Sequence, residues 1–172
     1  MRGTVFVGTS LDGFIARADG RLDFLPEACE PHGFEELLES VDALVMGRRT
    51  WDFVASSGLW FYGDKPVFVL TSRELGATPA GAVVHRVTGD PADVARELDA
   101  RGVREAYVDG GATIQQFLRA GLVRRLILTR IPVLIGSGIP LFGALDGDVA
   151  LRHVATRHFP SGLVQSEYEV AG

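Results

Sequence analysis

Three short segments of this chain carry residue types suited to holding an anion. Tyr107-Val108-Asp109-Gly110-Gly111-Ala112-Thr113 is an apolar run that ends in a glycine pair. After it, Ile114, Phe117 and Leu118 repeat at the i, i+3, i+4 spacing of a helix, and Gly121 stands where that helix should stop. A strand entering a helix through Gly-Gly presents free backbone N–H groups and the positive end of the helix dipole, where phosphate binds well. Without a Cβ, the glycines also let a ligand approach the backbone. Val45-Met46-Gly47-Arg48-Arg49-Thr50-Trp51 repeats the strand–Gly–helix form with arginines and a threonine at the helix start. Lys65-Pro66-Val67-Phe68-Val69-Leu70-Thr71-Ser72-Arg73 is a further strand whose end offers hydroxyls and an arginine. Any one of these answers equally well to turn geometry or to surface solubility. Together they point to a phosphate-bearing ligand, because arginine forks and helix-start hydroxyls suit that chemistry and open α/β sheets bind ligands outside the carboxyl ends of their strands.

The elements that must position these groups read as strands alternating with helices. Residues 4–8, 43–46, 66–71, 82–87 and 106–108 are short, β-branched and apolar on both parities, as in strands buried on both faces. Residues 34–40 form an acidic helical segment with Phe34, Leu37 and Leu38 on one face. Asp90 as N-cap, Pro91 at the first position and Gly102 beyond the end delimit another helix. The last third is strand-rich. A β run over residues 125–135 is broken by Pro132, and strands 151–159 and 163–170 flank a Pro160-Ser161-Gly162 turn as a hairpin, with Val164, Ser166, Tyr168 and Val170 on one face. This predicts one domain: an α/β core with an antiparallel C-terminal extension on the same sheet.

Composition narrows the class. With 172 residues, 47% hydrophobic and 23% charged, the chain suits one globular domain with a sizeable core. No apolar run approaches the roughly 20 residues of a membrane span, and residues 1–5 carry no signal-peptide pattern. A net charge of −5 with no basic block disfavours nucleic-acid binding. Cys29, the single cysteine, suits a reducing cytoplasm and reads as incidental. His32, His85, His153 and His158 lack paired metal spacing. The chain has no G-x-G-x-x-G, no P-loop pattern and no nucleophile elbow.

Four blocks in order resemble the dihydrofolate reductase-like fold: T-S-L-D-G-F-I-A at 9–16, V-M-G-R-R-T-W-D at 45–52, V-L-T-S-R at 69–73 and Y-V-D-G-G-A-T at 107–113. L-T-R-I-P-V-L-I-G-S-G-I-P-L-F at 128–142 is similar to the C-terminal reductase domain of the bifunctional riboflavin-biosynthesis deaminase-reductase and its stand-alone relatives. The resemblance covers residues 4–142. It implies a three-layer α/β/α fold around a mixed, mostly parallel sheet with antiparallel C-terminal strands. It also implies a cytoplasmic, homodimeric, NADPH-dependent reductase of a small polar heterocyclic, imine or carbonyl substrate, with the long strand at 128–135 extending the dimer interface.

Carried onto this sequence, the resemblance assigns Gly47, Arg48, Arg49 and Thr50 to a phosphate-binding helix start. Leu70, Thr71, Ser72 and Arg73 match the strand end holding the adenosine side and its 2′-phosphate, which favours NADPH over NADH. Gly110, Gly111, Ala112 and Thr113 match the loop under the pyrophosphate, and Val7, Gly8, Ile15 and Ala16 match positions lining the nicotinamide. The loop at 10–24, with Gly13 and Gly20, matches a lid that excludes water during hydride transfer. On the substrate side the candidates are Asp12 and Thr129 as catalytic groups, with Phe14, Trp51 and Asp109 as binding residues. Turn formation for Asp12, core packing for Trp51 and loop capping for Asp109 are the competing readings. The folate enzymes carry a carboxylate in the helix before the second strand. An ungapped count places that position at Pro31, with Glu35 and Glu36 nearby, which argues against folate. No H-x-E or C-x-x-C pattern of a zinc deaminase occurs. Two readings stand, a reductase and a non-catalytic NADPH-binding module, with a true dihydrofolate reductase as a third; the intact D-G-F-I-A lid favours the enzyme.

Overall fold

Strands apolar on both parities need cover on both faces. The computed structural model, which describes residues 1–26 and 30–171, supplies that cover; Cys29 lies outside the described residues. In chain order the elements are β1 (Arg2–Ser10), β2 (Phe14–Ala16), α1 (Phe34–Ser40), β3 (Ala43–Gly47), α2 (Arg48–Ser56), β4 (Val67–Leu70), β5 (Val84–Val87), α3 (Pro91–Ala100), β6 (Glu105–Asp109), α4 (Gly111–Arg119), β7 (Val123–Ile131), β8 (Ile139–Pro140), β9 (Leu151–His158) and β10 (Val164–Val170). Eight strands form one sheet in the order β5-β4-β3-β6-β1-β7-β10-β9, while β2 and β8 pair as a separate ribbon. From β5 to β7 all neighbours are parallel, and β10 and β9 run antiparallel.

Alternation along each central strand divides the core in two. Val5, Val45, Phe68, Ala106 and Val108 face one layer, where Val94 and Leu98 of α3 and Ile114, Phe117 and Leu118 of α4 cover them. Phe6, Leu44, Met46, Val67, Val69 and Tyr107 face the other, covered by Leu37 of α1 and by Trp51 and Val54 of α2. The result is the three-layer α/β/α architecture read from the sequence, with helices on both faces of a mostly parallel sheet.

Local signals place the helices as read. Asp90 caps α3, its Oδ1 accepting from Asp93 N at 2.9 Å, and Pro91 follows at the first helical position. The C-terminal third departs from the reading in two ways. The run expected over residues 125–135 ends at Ile131, and the chain then turns through Gly136. β7 also lies between β1 and β10, with Leu126, Ile127, Leu128 and Ile131 buried. Its ladder groups are engaged with β1 and β10 within the chain, and the sheet edge on that side is β9, every residue of which is exposed. On β10 the expected single face is interrupted. Gln165, on the opposite parity, is 3% exposed, and the ladder to β9 shifts register between Glu167 and Tyr168. No described helix is long and apolar enough to cross a membrane.

Candidate active site at the carboxyl edge of the sheet

The parallel order β4-β3-β6-β1 brings the three anion-friendly strand ends side by side. Gly47 pairs with Leu70, and Met46 with Asp109, so α2 and α4 begin on adjacent strands. Neither helix start has a side-chain cap or an acidic residue in its first turn, whereas α3 is capped by its own Asp90. Two uncapped starts next to each other concentrate orphan N–H groups and dipole charge at one place. They are also interlocked. Thr50 Oγ1 rests where a Cβ on Gly110 would lie, and a Cβ on Gly47 would stand 2.8 Å from Thr113 Oγ1. Gly110 has φ +91°, a conformation that favours glycine. A Cβ on Gly111 would come within 2.8 Å of Ile15 Cδ1. Ala112 is exposed at the mouth of this cradle.

Beyond it, residues 71–75 form the rim at the end of β4. Thr71 Oγ1 accepts from Arg73 N at 3.1 Å, and the Ser72 carbonyl accepts from Arg86 Nη1 at 3.3 Å. Ser72, Arg73 and Arg49 are exposed, and neither arginine side chain is ion-paired among the described residues. Arg48 is different: Nε donates to Asp52 Oδ1 at 2.7 Å and Nη1 to the Glu74 carbonyl at 2.7 Å, so it fastens the rim to α2. Leu70 is half-buried against the first core layer.

Next along the same edge, between β1 and α1, lies a cavity of about 260 Å³. That exceeds the ~150 Å³ that takes benzene and falls just short of the ~300 Å³ at which drug-sized pockets begin, the size for a small polar ring. Phe6, Val7 and Gly8 of β1, Thr129 and Ile131 of β7, and Tyr107 of β6 form one wall. Leu25, Pro26, Glu30, His32, Phe34 and Leu163 close it. At Gly8 the space is tight, since a Cβ would meet Leu25 Cδ2 at 3.2 Å and Ile131 Cδ1 at 3.3 Å. Four polar side chains line this largely apolar cavity; one is Glu30, whose carboxylate accepts from Ser161 Oγ. Thr129 Oγ1 accepts from Gln165 Nε2 at 3.0 Å. Tyr107 Oη donates to the Phe6 carbonyl at 3.0 Å. His32 Nδ1 lies 3.1 Å from the Glu30 carbonyl. A carbonyl can only accept, so in this hydrogen bond Nδ1–H is the donor, and Nε2 is the ring nitrogen not engaged in it. A larger, open cleft at the amino end of the sheet, among Arg2, Glu105, Arg124, Arg125 and Glu169, lies away from all of these groups.

The remaining candidates fall outside the cavity. Asp12 is exposed on the lid, where its carboxylate accepts from Gly136 N at 2.7 Å and Ile135 N at 3.3 Å. A hydrogen bond to Ser10, with these backbone bonds, holds its pKa below the usual carboxylate range. It ties the lid to the 135–136 turn rather than facing a reacting ring. Phe14 lies in the β2–β8 ribbon, its N–H donating to Ser10 Oγ at 3.0 Å. Trp51 is fully buried in the second core layer, edge-on to Trp60 at 6.4 Å, and is a packing residue. Asp109, half-buried at the end of β6, accepts from Gly110 N at 2.7 Å and so caps the loop. Burial pushes its carboxyl up to about 6, against the opposing hydrogen bond from Gly110 N. The lid at 10–24 is stapled by the Arg17–Asp23 and Arg21–Asp19 ion pairs, and within it Ala16 is buried. Glu35 and Glu36 of α1 are exposed, as is Pro31, so α1 contributes no carboxylate to the cavity.

Sequence reasoning missed His32, Gln165 and Arg86. His32 had been set aside for lacking a metal partner, a criterion blind to a lone ring on a cavity wall. Gln165 carries no motif at all, and only the burial of a polar side chain on β10 reveals it.

A model of the RibD C-terminal domain family matches residues 2–165 of this chain. A solved protein provisionally assigned to riboflavin biosynthesis, from Shewanella sp. PV-4, is 38% identical over the full length of both chains, with a TM-score of 0.89. The Thermotoga maritima diaminohydroxyphosphoribosylaminopyrimidine deaminase/5-amino-6-(5-phosphoribosylamino)uracil reductase is 16% identical with a TM-score of 0.70, covering 99% of this chain and 56% of its own. Dihydrofolate reductase from Enterococcus faecalis, complexed with NADP(H) and RAB-propyl, is 17% identical with a TM-score of 0.67, covering 99% of this chain and 97% of its own. The last two share the dihydrofolate reductase-like fold.

Proposed function

The chain belongs to the RibD C-terminal domain family, and from that premise we propose that it is an NADPH-dependent reductase of a small polar ring or imine/carbonyl compound. One observation carries this reading: two uncapped, interlocked helix starts stand beside a ring-sized cavity along a single sheet edge. The residues present fit the cofactor. Gly110 and Gly111 lack a side chain where the loop packs against Thr50 Oγ1 and Ile15 Cδ1, so only backbone is presented there, and the groups around it are N–H donors, hydroxyls and arginines, as a pyrophosphate requires. NADPH, when bound, supplies a hydride.

The work of this chain's own residues follows from their placement. The starts of α2 and α4, with Thr50 and Thr113, hold the pyrophosphate, while Ser72, Arg73 and Arg49 bind the 2′-phosphate at the rim. Val7, Gly8, Ile15 and Ala16 line the passage from cradle to cavity. The β2–β8 ribbon excludes water above it, with Ile15 set against Gly111. In the cavity Thr129 binds the substrate and His32 Nε2 exchanges the proton that accompanies hydride transfer. The solvent-facing Glu35 and Glu36 weigh against a folate substrate. A homodimer formed along the exposed β9 edge is proposed with it, and light scattering on the purified protein reads that directly.

The test is titration of tryptophan fluorescence with NADPH and NADH, followed by monitoring NADPH oxidation over a panel of pyrimidine, pterin and imine compounds. Micromolar NADPH should quench, NADH should quench more weakly, and at least one small polar ring should be reduced. Absence of any NADPH response at millimolar concentration overturns the reading.

A further inference from the structure

Three residues stand in register across the antiparallel part of the sheet: Thr129 on β7, Gln165 on β10 and Arg157 on β9. Arg157 Nη2 donates to Gln165 Oε1 at 2.7 Å. A guanidinium has no acceptor, so this bond fixes which end of the Gln165 amide is oxygen. The NH2 end then points inward and both of its hydrogens are used, one on the His32 carbonyl at 2.9 Å and the other on Thr129 Oγ1 at 3.0 Å. Gln165 and Thr129 are 3% and 7% exposed, so water does not compete for these bonds.

This chain has a consequence for the cavity. Thr129 Oγ1 receives a hydrogen from Gln165, and its own proton has no protein acceptor among the described residues. Thr129 also lines the cavity. Resting on the proposed reductase function, we infer that Gln165, oriented by Arg157, is a positioning residue that fills one lone pair of Thr129 Oγ1 and leaves the hydroxyl proton to be satisfied by the substrate, so that Thr129 acts as a hydrogen-bond donor. The cavity therefore favours a ring with an acceptor, a carbonyl oxygen or unprotonated ring nitrogen, where Thr129 reaches it, over one presenting an amino group there. The same amide holds the His32 carbonyl, so the donor and the proton-exchanging ring share one anchor.

The preference arises because an amino group could only take the remaining lone pair of Thr129 Oγ1 and would leave the hydroxyl's buried proton unpaired, which costs more than an ordinary hydrogen bond gains. A fixed donor facing a fixed cavity is how a site discriminates against a near-isosteric ring.

The test compares binding of uracil with that of 2,4-diaminopyrimidine by calorimetry, at a pH where the diamine is neutral, in the presence of NADPH. The wild-type chain is expected to prefer uracil by about tenfold or more. Thr129→Ser keeps that preference, because it keeps the hydroxyl. Thr129→Val, nearly isosteric, brings the two ligands within about threefold of each other. Gln165→Glu replaces the amide donor by an acceptor, turns the Thr129 proton away from the cavity and shifts preference toward the diamine. An unchanged preference in Thr129→Val, or in a Gln165→Glu protein with a normal melting curve, overturns the proposal. So does a wild-type protein that binds the two rings equally. NADPH quenching measured on each variant separates the cases: loss of discrimination with intact quenching concerns this relay alone, whereas a wild-type protein that ignores NADPH overturns the cofactor reading.

Discussion

Thr50 Oγ1 lies against the Cα of Gly110, in the space a side chain at position 110 would need. This contact joins the start of α2 to the start of α4 and sets the width of the proposed pyrophosphate cradle. Gly110→Ala is expected to cost about 2–4 kcal/mol, from the positive φ and the clash together, and to lower Tm by roughly 5–10 °C for a chain of this size. NADPH affinity falls with it. A melting curve within a degree or two of wild type would show that the contact yields freely.

The two arginines at the α2 start and the β4 rim should behave differently although both are assigned to the cofactor. Arg73 is exposed with its guanidinium unpaired among the described residues, while Arg48 is bonded to Asp52 and to the Glu74 carbonyl. Arg73→Ala should weaken NADPH by about 10- to 100-fold, the loss of one or two charge-assisted hydrogen bonds, and leave NADH nearly unchanged. Arg48→Ala should weaken both cofactors to a similar degree, because it loosens the rim. Equal losses in Arg73→Ala would place the 2′-phosphate elsewhere.

Asp109 gives stability a specific pH dependence. Its carboxyl is raised to about 6 in the folded chain, against about 3.9 when unfolded. Between those values the folded state holds a proton that the unfolded state has lost, so stability declines as pH rises from about 4 to 6 and is level above. The lowered carboxylates Asp12, Asp19, Asp23, Asp42 and Asp99 act in the opposite sense and at lower pH. Asp109→Asn should abolish the decline and melt above wild type at pH 7. Parallel Tm–pH curves for the two proteins would refute the assignment.

Trp51 separates packing from binding. Fully buried against Trp60 and the α2 face, it should tolerate Trp51→Phe at a cost of about 1–3 kcal/mol with KM for substrate unchanged within about twofold. A raised KM at unaltered stability would return Trp51 to the substrate side.

Asp12 is tested by Asp12→Asn, which keeps one acceptor for the Gly136 and Ile135 amides. Turnover should fall less than about tenfold, since the loss acts through the lid; removal of a group that moves the proton costs about 100-fold or more.

Much of the scaffold was legible because the determinants are local. Asp90, Pro91 and Gly102 mark α3 by capping chemistry that involves only neighbours, and apolar runs on both parities announce strands covered on both faces. The hairpin at Pro160-Ser161-Gly162 was legible for the same reason: Gly162 takes the positive φ its turn needs. The β7 run was misread past Ile131 because its continuation is set by Asp12, a residue more than a hundred positions away whose carboxylate gathers the 135–136 amides.

Residue types and spacing by themselves determined the two strand–Gly–helix junctions at Gly47 and Gly110 and the hydroxyl- and arginine-bearing end of β4. Each of those features belongs to one segment and its own backbone. The tertiary structure alone decided which segments meet. The strand order puts Met46 beside Asp109 and Gly47 beside Leu70, buries Trp51 instead of presenting it, and aligns Thr129, Gln165 and Arg157 across three strands. The polarity of the cavity follows from that alignment, because a hydroxyl's proton goes where its neighbours leave an acceptor, and those neighbours come from strands far apart in the chain.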